Sequence, residues 1–80
     1  MTKQYRWVKY LGSQIRVHKS IKFIATDSSG EVYGYTHRPE IRGYAWMLPY
    51  AARDTGGTVY LQDKDLGTPW DLSLIEVDAL

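Results

Sequence analysis

The sequence predicts one small, mostly β domain, and its length, its composition and its turn spacing all favour that class. The chain has 80 residues, of which 44% are apolar, 14% aromatic and 24% charged. These proportions are typical of a globular domain rather than of a disordered chain. A domain of this length buries only about 60–65% of the surface that its unfolded chain exposes. No cysteine is present to add a disulfide, so packing has to stabilise the fold.

Gly and Pro divide the chain into short segments, which is typical of strands. We therefore expect a single domain over residues 1–80, with five or six short antiparallel strands in a twisted sheet or partly open barrel. At most one or two helical turns are expected. A hairpin over residues 21–36 is the best-defined element. Its first strand, residues 21–26, is apolar on both faces, as in a covered central strand, and the DSSG sequence of residues 27–30 supplies the turn.

The remaining elements follow from shorter patterns. Strands are expected near residues 14–18, 42–48, 57–62 and 74–77, and residues 49–53 suit a single helical turn. Thr68 is predicted to be the N-cap of a short helix, with Pro69 at its first position. Residues 1–12 alternate loosely, so that this basic, aromatic arm either pairs at a sheet edge or covers a sheet face.

The net charge of +1 hides a strong polarity along the chain. Residues 1–26 contain six Lys or Arg and no acid, which gives +6, whereas residues 54–80 contain six Asp or Glu against Lys64, which gives −5. The acidic third either leaves the basic third free for a partner or folds against it. The pI near 8.0 excludes a highly acidic mimic of DNA.

Membrane, secreted and catalytic classes find no support in the sequence. The longest run without a charged residue is ten residues, 43–52, whereas a spanning helix needs about twenty. No apolar segment follows the first basic residues, so no export signal is expected and the cytoplasm is the default location. His18 and His37 lie in no recognisable catalytic motif, and no metal-ligand spacing or phosphate-binding loop is present. We expect no enzyme, no cofactor and no metal.

Two segments resemble a known group of proteins. Residues 23–39, FIATDSSGEVYGYTHRP, and the closing element of residues 70–77, WDLSLIEV, resemble small accessory proteins of tailed bacteriophages and prophages. The resemblance covers residues 21–77 and leaves the arm of residues 1–12 outside it. It implies a phage origin, a location in the cytoplasm of the infected bacterial host, and a role in host takeover or counter-defence.

The leading functional prediction is a non-enzymatic protein that acts by stoichiometric binding. Tyr and Trp supply contact area and Arg supplies bidentate hydrogen bonds, which makes these residues common at binding hot spots. The predicted partner is a host protein or a nucleotide-like small anion. The predicted partner-binding residues follow the second hairpin strand: Tyr33, Tyr35, His37, Arg38, Arg42 and Trp46.

The alternative prediction is a nucleic-acid-binding module that uses the basic first third of the chain. Basic side chains contact phosphates, and aromatic rings among them stack on bases. The candidate residues are Lys3, Arg6, Trp7, Lys9, Arg16 and Lys19. The sequence leaves open which ligand is bound and whether the chain forms homo-oligomers.

Overall fold

The computed structural model describes residues 4–63 and 69–77, and these contain eight strands and two single turns of 3-10 helix. The strands are β1 Tyr5–Tyr10, β2 Ser13–His18, β3 Phe23–Thr26, β4 Glu31–Tyr35, β5 Glu40–Arg42, β6 Ala45–Met47, β7 Thr58–Asp63 and β8 Ile75–Glu76. The 3-10 turns are Tyr50–Ala52 and Trp70–Leu72. The mostly β, antiparallel prediction is confirmed. The described strands exceed the five or six expected, and they form three sheets rather than a closed barrel.

The predicted central hairpin is present as β3 and β4. The two strands pair antiparallel from Phe23 opposite Tyr35 to Thr26 opposite Val32. Their turn closes through a 2.9 Å hydrogen bond from the Gly30 N–H to the Asp27 carbonyl, and Gly30 has a φ of 93°, which favours glycine. β7 and β8 complete a four-stranded central sheet in the order β7-β4-β3-β8.

The central sheet is covered on both faces, as the apolar character of residues 21–26 predicts. Ile24 and Val32 belong to a buried cluster with residues of the β1–β2 hairpin. Ala25 and Tyr35 belong to a second cluster on the opposite face, with Leu48 and with the partly buried Trp46 of β6. The domain therefore has three layers, in which the central sheet separates the β1–β2 hairpin from the β5–β6 hairpin.

The amino-terminal arm is a strand that covers a face of the central sheet. β1 pairs with β2 through all six of its residues, from Tyr5 opposite His18 to Tyr10 opposite Ser13. Leu11 and Gly12 connect the two strands, with φ values of 45° and 84°. Positive φ at both central positions is typical of a type I′ turn, whose twist matches that of the strands it joins.

The prediction of one continuous strand near residues 42–48 is wrong. The chain reverses at Gly43, whose φ is 63°, and forms two three-residue strands, with Ile41 opposite Trp46. The predicted helical turn at residues 49–53 is present as the first 3-10 turn. The second 3-10 turn has Pro69 as its N-cap rather than as its first residue. The predicted cap, Thr68, lies outside the described residues.

A buried hydrogen-bond network joins three separate parts of the chain. The Tyr10 hydroxyl lies 2.6 Å from the Thr26 hydroxyl and donates to the Ser73 carbonyl at 3.2 Å. The Ser73 hydroxyl accepts from the Thr26 N–H at 2.9 Å and lies 3.2 Å from the Thr26 carbonyl. Among the described residues, β8 pairs only with Phe23 and Ile24, so at Thr26 the Ser73 side chain provides the hydrogen bonds that a neighbouring strand would provide. All three residues are at most 1% exposed.

We predict that Ser73→Ala lowers the free energy of unfolding by about 1–3 kcal/mol, because it leaves the buried Thr26 N–H without an acceptor. Urea unfolding followed by tryptophan fluorescence measures the change. Ser29→Ala is the matched control, since the Ser29 hydroxyl is exposed and donates to the Glu31 carboxylate, and we expect a change within about 0.5 kcal/mol. Equal stabilities for the Ser73 variant and the unmodified protein would contradict this role.

Candidate functional site

The leading set of predicted binding residues does not form one exposed surface. Tyr35 is fully buried, and its hydroxyl donates to the Trp46 carbonyl at 3.0 Å. Trp46 is half-buried, and its indole N–H donates to the Trp70 carbonyl at 3.1 Å. Tyr35 therefore has no surface to offer a partner, and we correct its assignment to a core residue. Trp46 connects the β5–β6 hairpin to the second 3-10 turn.

The other four members of that set contact different neighbours. Tyr33 is half-buried, and its ring meets the Tyr60 ring edge-on at 5.7 Å. His37 and Arg38 are exposed; the His37 Nδ1 lies 2.8 Å from the Thr36 hydroxyl, and the Arg38 guanidinium lies 5.7 Å from the Phe23 ring centroid. Arg42 forms a 2.8 Å ion pair with Glu40, so its charge is balanced locally. His37, Arg38 and Arg42 therefore keep exposed surface, whereas the Tyr60 ring packs against Tyr33.

The β1–β2 hairpin presents a different surface, which we call the hairpin face. Residues opposite each other in an antiparallel pair project to the same side, so the register gives one side as Tyr5, Trp7, Lys9, Gln14, Arg16 and His18. This side points away from the core, and Trp7 and Tyr5 are 67% and 50% exposed. The opposite side carries Val8, Tyr10, Ile15 and Val17, which pack on the central sheet.

The hairpin face includes three of the six residues predicted for nucleic-acid binding: Trp7, Lys9 and Arg16. Arg6 points to the opposite side, where its guanidinium donates to the Ile21 carbonyl at 3.3 Å, so we remove it from the candidate surface. Lys19 is exposed just after β2, and its backbone N–H donates to the Gln4 carbonyl at 2.8 Å, which holds it beside the hairpin face. Lys3 lies outside the described residues.

Aromatic and basic groups contact one another on the hairpin face. The Arg16 guanidinium lies 4.4 Å from the Tyr5 ring centroid, and the Tyr5 ring meets the His18 ring edge-on at 5.4 Å. The Ser20 N–H donates to the His18 Nδ1 at 3.1 Å. A neutral imidazole that accepts at Nδ1 carries its proton on Nε2, so His18 has a donor left for a ligand.

The hairpin face carries positive charge that no carboxylate balances within residues 4–63 and 69–77. Lys9, Arg16 and Lys19 form no ion pair there. The acidic residues of the last third that lie within these ranges, Asp54, Asp63, Asp71 and Glu76, contact none of the three. The described part of the acidic third therefore leaves these basic side chains available to an anionic partner.

Tyr5, Gln14 and His18 belong to the hairpin face although the sequence prediction did not include them. The period-two alternation of β1 carries this information, since Tyr5, Trp7 and Lys9 occupy alternate positions. The same alternation separates Arg6 from Trp7 and Lys9. The facing positions of β2 depend on the two-residue turn at Leu11 and Gly12, which fixes the register.

Comparisons of the chain with protein-family models, curated proteins and solved structures returned no match. Within the described ranges, no helix is long and apolar enough to cross a membrane. No group of three or more His, Asp or Glu side chains in those ranges is arranged to hold a metal ion. The hairpin face is therefore interpreted from its own chemistry.

We predict that stability falls as the pH rises above about 10, the pKa of a tyrosine in an unfolded chain. Burial raises the pKa of the Tyr35 phenol, and the charge of Asp27 raises it further. Burial also raises the pKa of Tyr10. Because both folded-state pKa values lie above the unfolded value, the contribution of the neutral phenols is fully present below pH 10 and is lost above it.

Urea unfolding measured at a series of alkaline pH values tests this prediction. Tyr35→Phe should make the decrease in stability with rising pH less steep, because it removes a phenol that cannot ionise while it is buried in the folded protein. Tyr44→Phe is the control, since Tyr44 is 80% exposed, and it should leave the pH profile unchanged. A pH profile of Tyr35→Phe that coincides with that of the unmodified protein would contradict the prediction.

Proposed function

We propose that this protein is a non-enzymatic binding protein whose hairpin face binds single-stranded nucleic acid. One observation carries the proposal: a single exposed side of the β1–β2 hairpin combines two largely exposed aromatic rings with Lys9 and Arg16 and contains no carboxylate. Exposed aromatic rings stack on unpaired bases, and neighbouring cations hold the backbone phosphates. Trp7 is the centre of this surface, with Arg16 directly opposite it in the register.

Single strands fit this surface better than duplexes do. The bases of a duplex are stacked on each other, so their faces are not accessible to Trp7 and Tyr5 without unstacking. Two aromatic residues at alternate positions of β1 lie about 6.6 Å apart along the strand, which leaves room for a base on Trp7 beside the Tyr5 ring, over which the Arg16 guanidinium lies. Base stacking also tolerates any sequence, because every base has a π face.

The packing beneath the hairpin face supports a preformed surface. Tyr10, Ile15 and Val17 on the opposite side are at most 5% exposed, so both strands are fixed to the core. The backbone that carries the hairpin face is therefore held in place before a ligand arrives, and preorganisation lowers the entropic cost of binding. The role in host takeover or counter-defence implied by the resemblance remains a prediction about the setting in which such binding is used.

We predict that Trp7→Ala lowers the affinity for a single-stranded oligonucleotide about 5- to 150-fold, since each stacked base contributes about 1–3 kcal/mol. Fluorescence anisotropy with a labelled ten-residue oligothymidylate measures it. Tyr44→Ala is the matched control: Tyr44 is 80% exposed but belongs to the opposite layer, so its loss should leave the affinity within twofold. A duplex of the same length should bind more weakly than the single strand.

We also predict that the affinity depends on salt concentration, with a slope that reports the number of phosphate contacts. If Lys9, Arg16 and Lys19 each neutralise one phosphate, the logarithm of the affinity should fall with the logarithm of salt concentration at a slope of about −2. The Lys9→Ala/Arg16→Ala double variant should reduce the slope to about −0.7. No oligonucleotide binding by the unmodified protein, or binding that does not respond to salt, would overturn the proposal; the latter result is expected for a packed aromatic interface with a protein.

A further inference from the structure

A groove separates the hairpin from the edge of the central sheet, beside the hairpin face. It has a volume of about 430 Å³ and is lined on one side by Tyr5, Arg16, His18 and Ser20 and on the other by residues of β7 that include Val59 and Leu61. This volume lies within the range of small-molecule sites, about 300–1,000 Å³. We call it the β2–β7 groove. Tyr5, Arg16 and His18 belong both to it and to the hairpin face, so the two surfaces are continuous.

The β7 side of the groove is an unpaired strand edge. Among the described strands, β7 is the terminal strand of the central sheet and pairs only with β4, and β2 pairs only with β1. Within the described ranges, no backbone group of Thr58–Asp63 bonds to a side chain or to a strand other than β4. Alternate residues of an edge strand direct their N–H and C=O groups outward. These groups match the donors and acceptors on the edge of a base.

The β2 side supplies the groups that recognise a phosphate. Arg16 has no carboxylate partner within the described ranges, and its guanidinium offers a planar set of donors for phosphate oxygens. The Ser20 N–H donates to the His18 Nδ1, so the Nε2–H is the donor that the His18 ring can offer to a ligand. The residues lining the groove include no Asp or Glu, so an anion meets no opposing charge there.

We infer that the β2–β7 groove binds a nucleoside monophosphate unit, either a free nucleotide or one unit of the strand bound at the hairpin face. This assignment deepens the proposed function and, for the strand-bound unit, rests on it. The phosphate contacts Arg16 and His18, the sugar and base lie against Tyr5 and Val59, and the polar edge of the base faces the free backbone groups of β7. The groove thus extends the path of a bound strand past the edge of β2.

Chemical-shift mapping on the nitrogen-15-labelled full chain tests this inference, with adenosine 5′-monophosphate, adenosine and a ten-residue oligoadenylate as probes. The nucleotide should shift the amide signals of residues 57–61 and of His18. Adenosine lacks the phosphate and should bind at least about tenfold more weakly than the nucleotide, since hydrogen bonds to a charged group contribute strongly to binding.

Val59→Glu is the discriminating variant, because it places a carboxylate in the groove. Val59 is 45% exposed, so the change is compatible with folding, and a dispersed amide spectrum verifies this. Ile41→Glu is the matched control, since Ile41 is 44% exposed on β5 in the opposite layer. Val59→Glu should weaken nucleotide binding at least tenfold, and Ile41→Glu should change it less than twofold. His18→Ala, which removes the imidazole donor, provides a second variant and should also weaken binding.

The outcomes separate this inference from the proposed function. Oligonucleotide binding that depends on Trp7 but shifts no groove amide and tolerates Val59→Glu overturns the groove assignment and leaves the hairpin face standing. Nucleotide binding in the groove without oligonucleotide binding supports the groove with a free nucleotide as its ligand, and it overturns the proposed function. No response to any probe overturns both. Concentration-dependent self-association that alone shifts residues 57–61 overturns the groove assignment.

Discussion

The fold depends on the burial of one short strand on both of its faces. β3 has only four residues, and Ile24, Ala25 and Thr26 have no exposed surface. Ile24 requires a cover on one face and Ala25 on the other, because consecutive side chains of a strand point in opposite directions. The β1–β2 hairpin supplies the first cover and the β5–β6 hairpin the second. The network of Tyr10, Thr26 and Ser73 then satisfies the polar groups that this double burial removes from water.

This constraint also explains why the hairpin face is available for binding. A two-stranded hairpin that covers a core with one side must expose the other, and no described element covers the outer side of β1 and β2. Polar residues alone would suffice to keep such a side in water. The hairpin face instead carries Trp7, which is 67% exposed, and Tyr5, which is 50% exposed although its ring contacts Arg16 and His18. Their presence together with unbalanced cations is the physical reason for assigning a ligand to this surface.

Local chemistry in the sequence was sufficient to predict the central hairpin and the double coverage of its first strand. The DSSG turn and the apolar residues on both faces of residues 21–26 depend on neighbours in the chain. The reversal at Gly43 was not predictable in the same way, because Tyr44, Trp46 and Leu48 alternate as they would in one continuous strand. The sequence places Tyr33 and Tyr35 on alternate positions of β4 but does not show which face of β4 another layer covers. That information depends on Leu48 and Trp46, which pack against Tyr35 from the β5–β6 hairpin and the segment that follows it.

The sequence was sufficient to predict which residue types form the candidate site, but not which particular residues lie together in it. A basic, aromatic first third indicated nucleic acid, and the alternation of β1 was sufficient to separate Arg6 from Trp7. The positions of Arg16 and His18 beside Tyr5, and of the β2–β7 groove beside them, depend on the hairpin register and on how two sheets pack. These are contacts between segments that the sequence alone does not bring together.

The indole N–H signals of the tryptophans test the central claim most directly, because one nitrogen-15 spectrum reports on the hairpin face and on the core together. On addition of single-stranded oligothymidylate, the Trp7 indole signal should shift in a saturable manner. The Trp46 indole signal should stay in place, since its N–H is bonded to the Trp70 carbonyl on the opposite side of the central sheet. An unchanged Trp7 signal at saturating oligonucleotide, or equal shifts of both signals, would contradict the account.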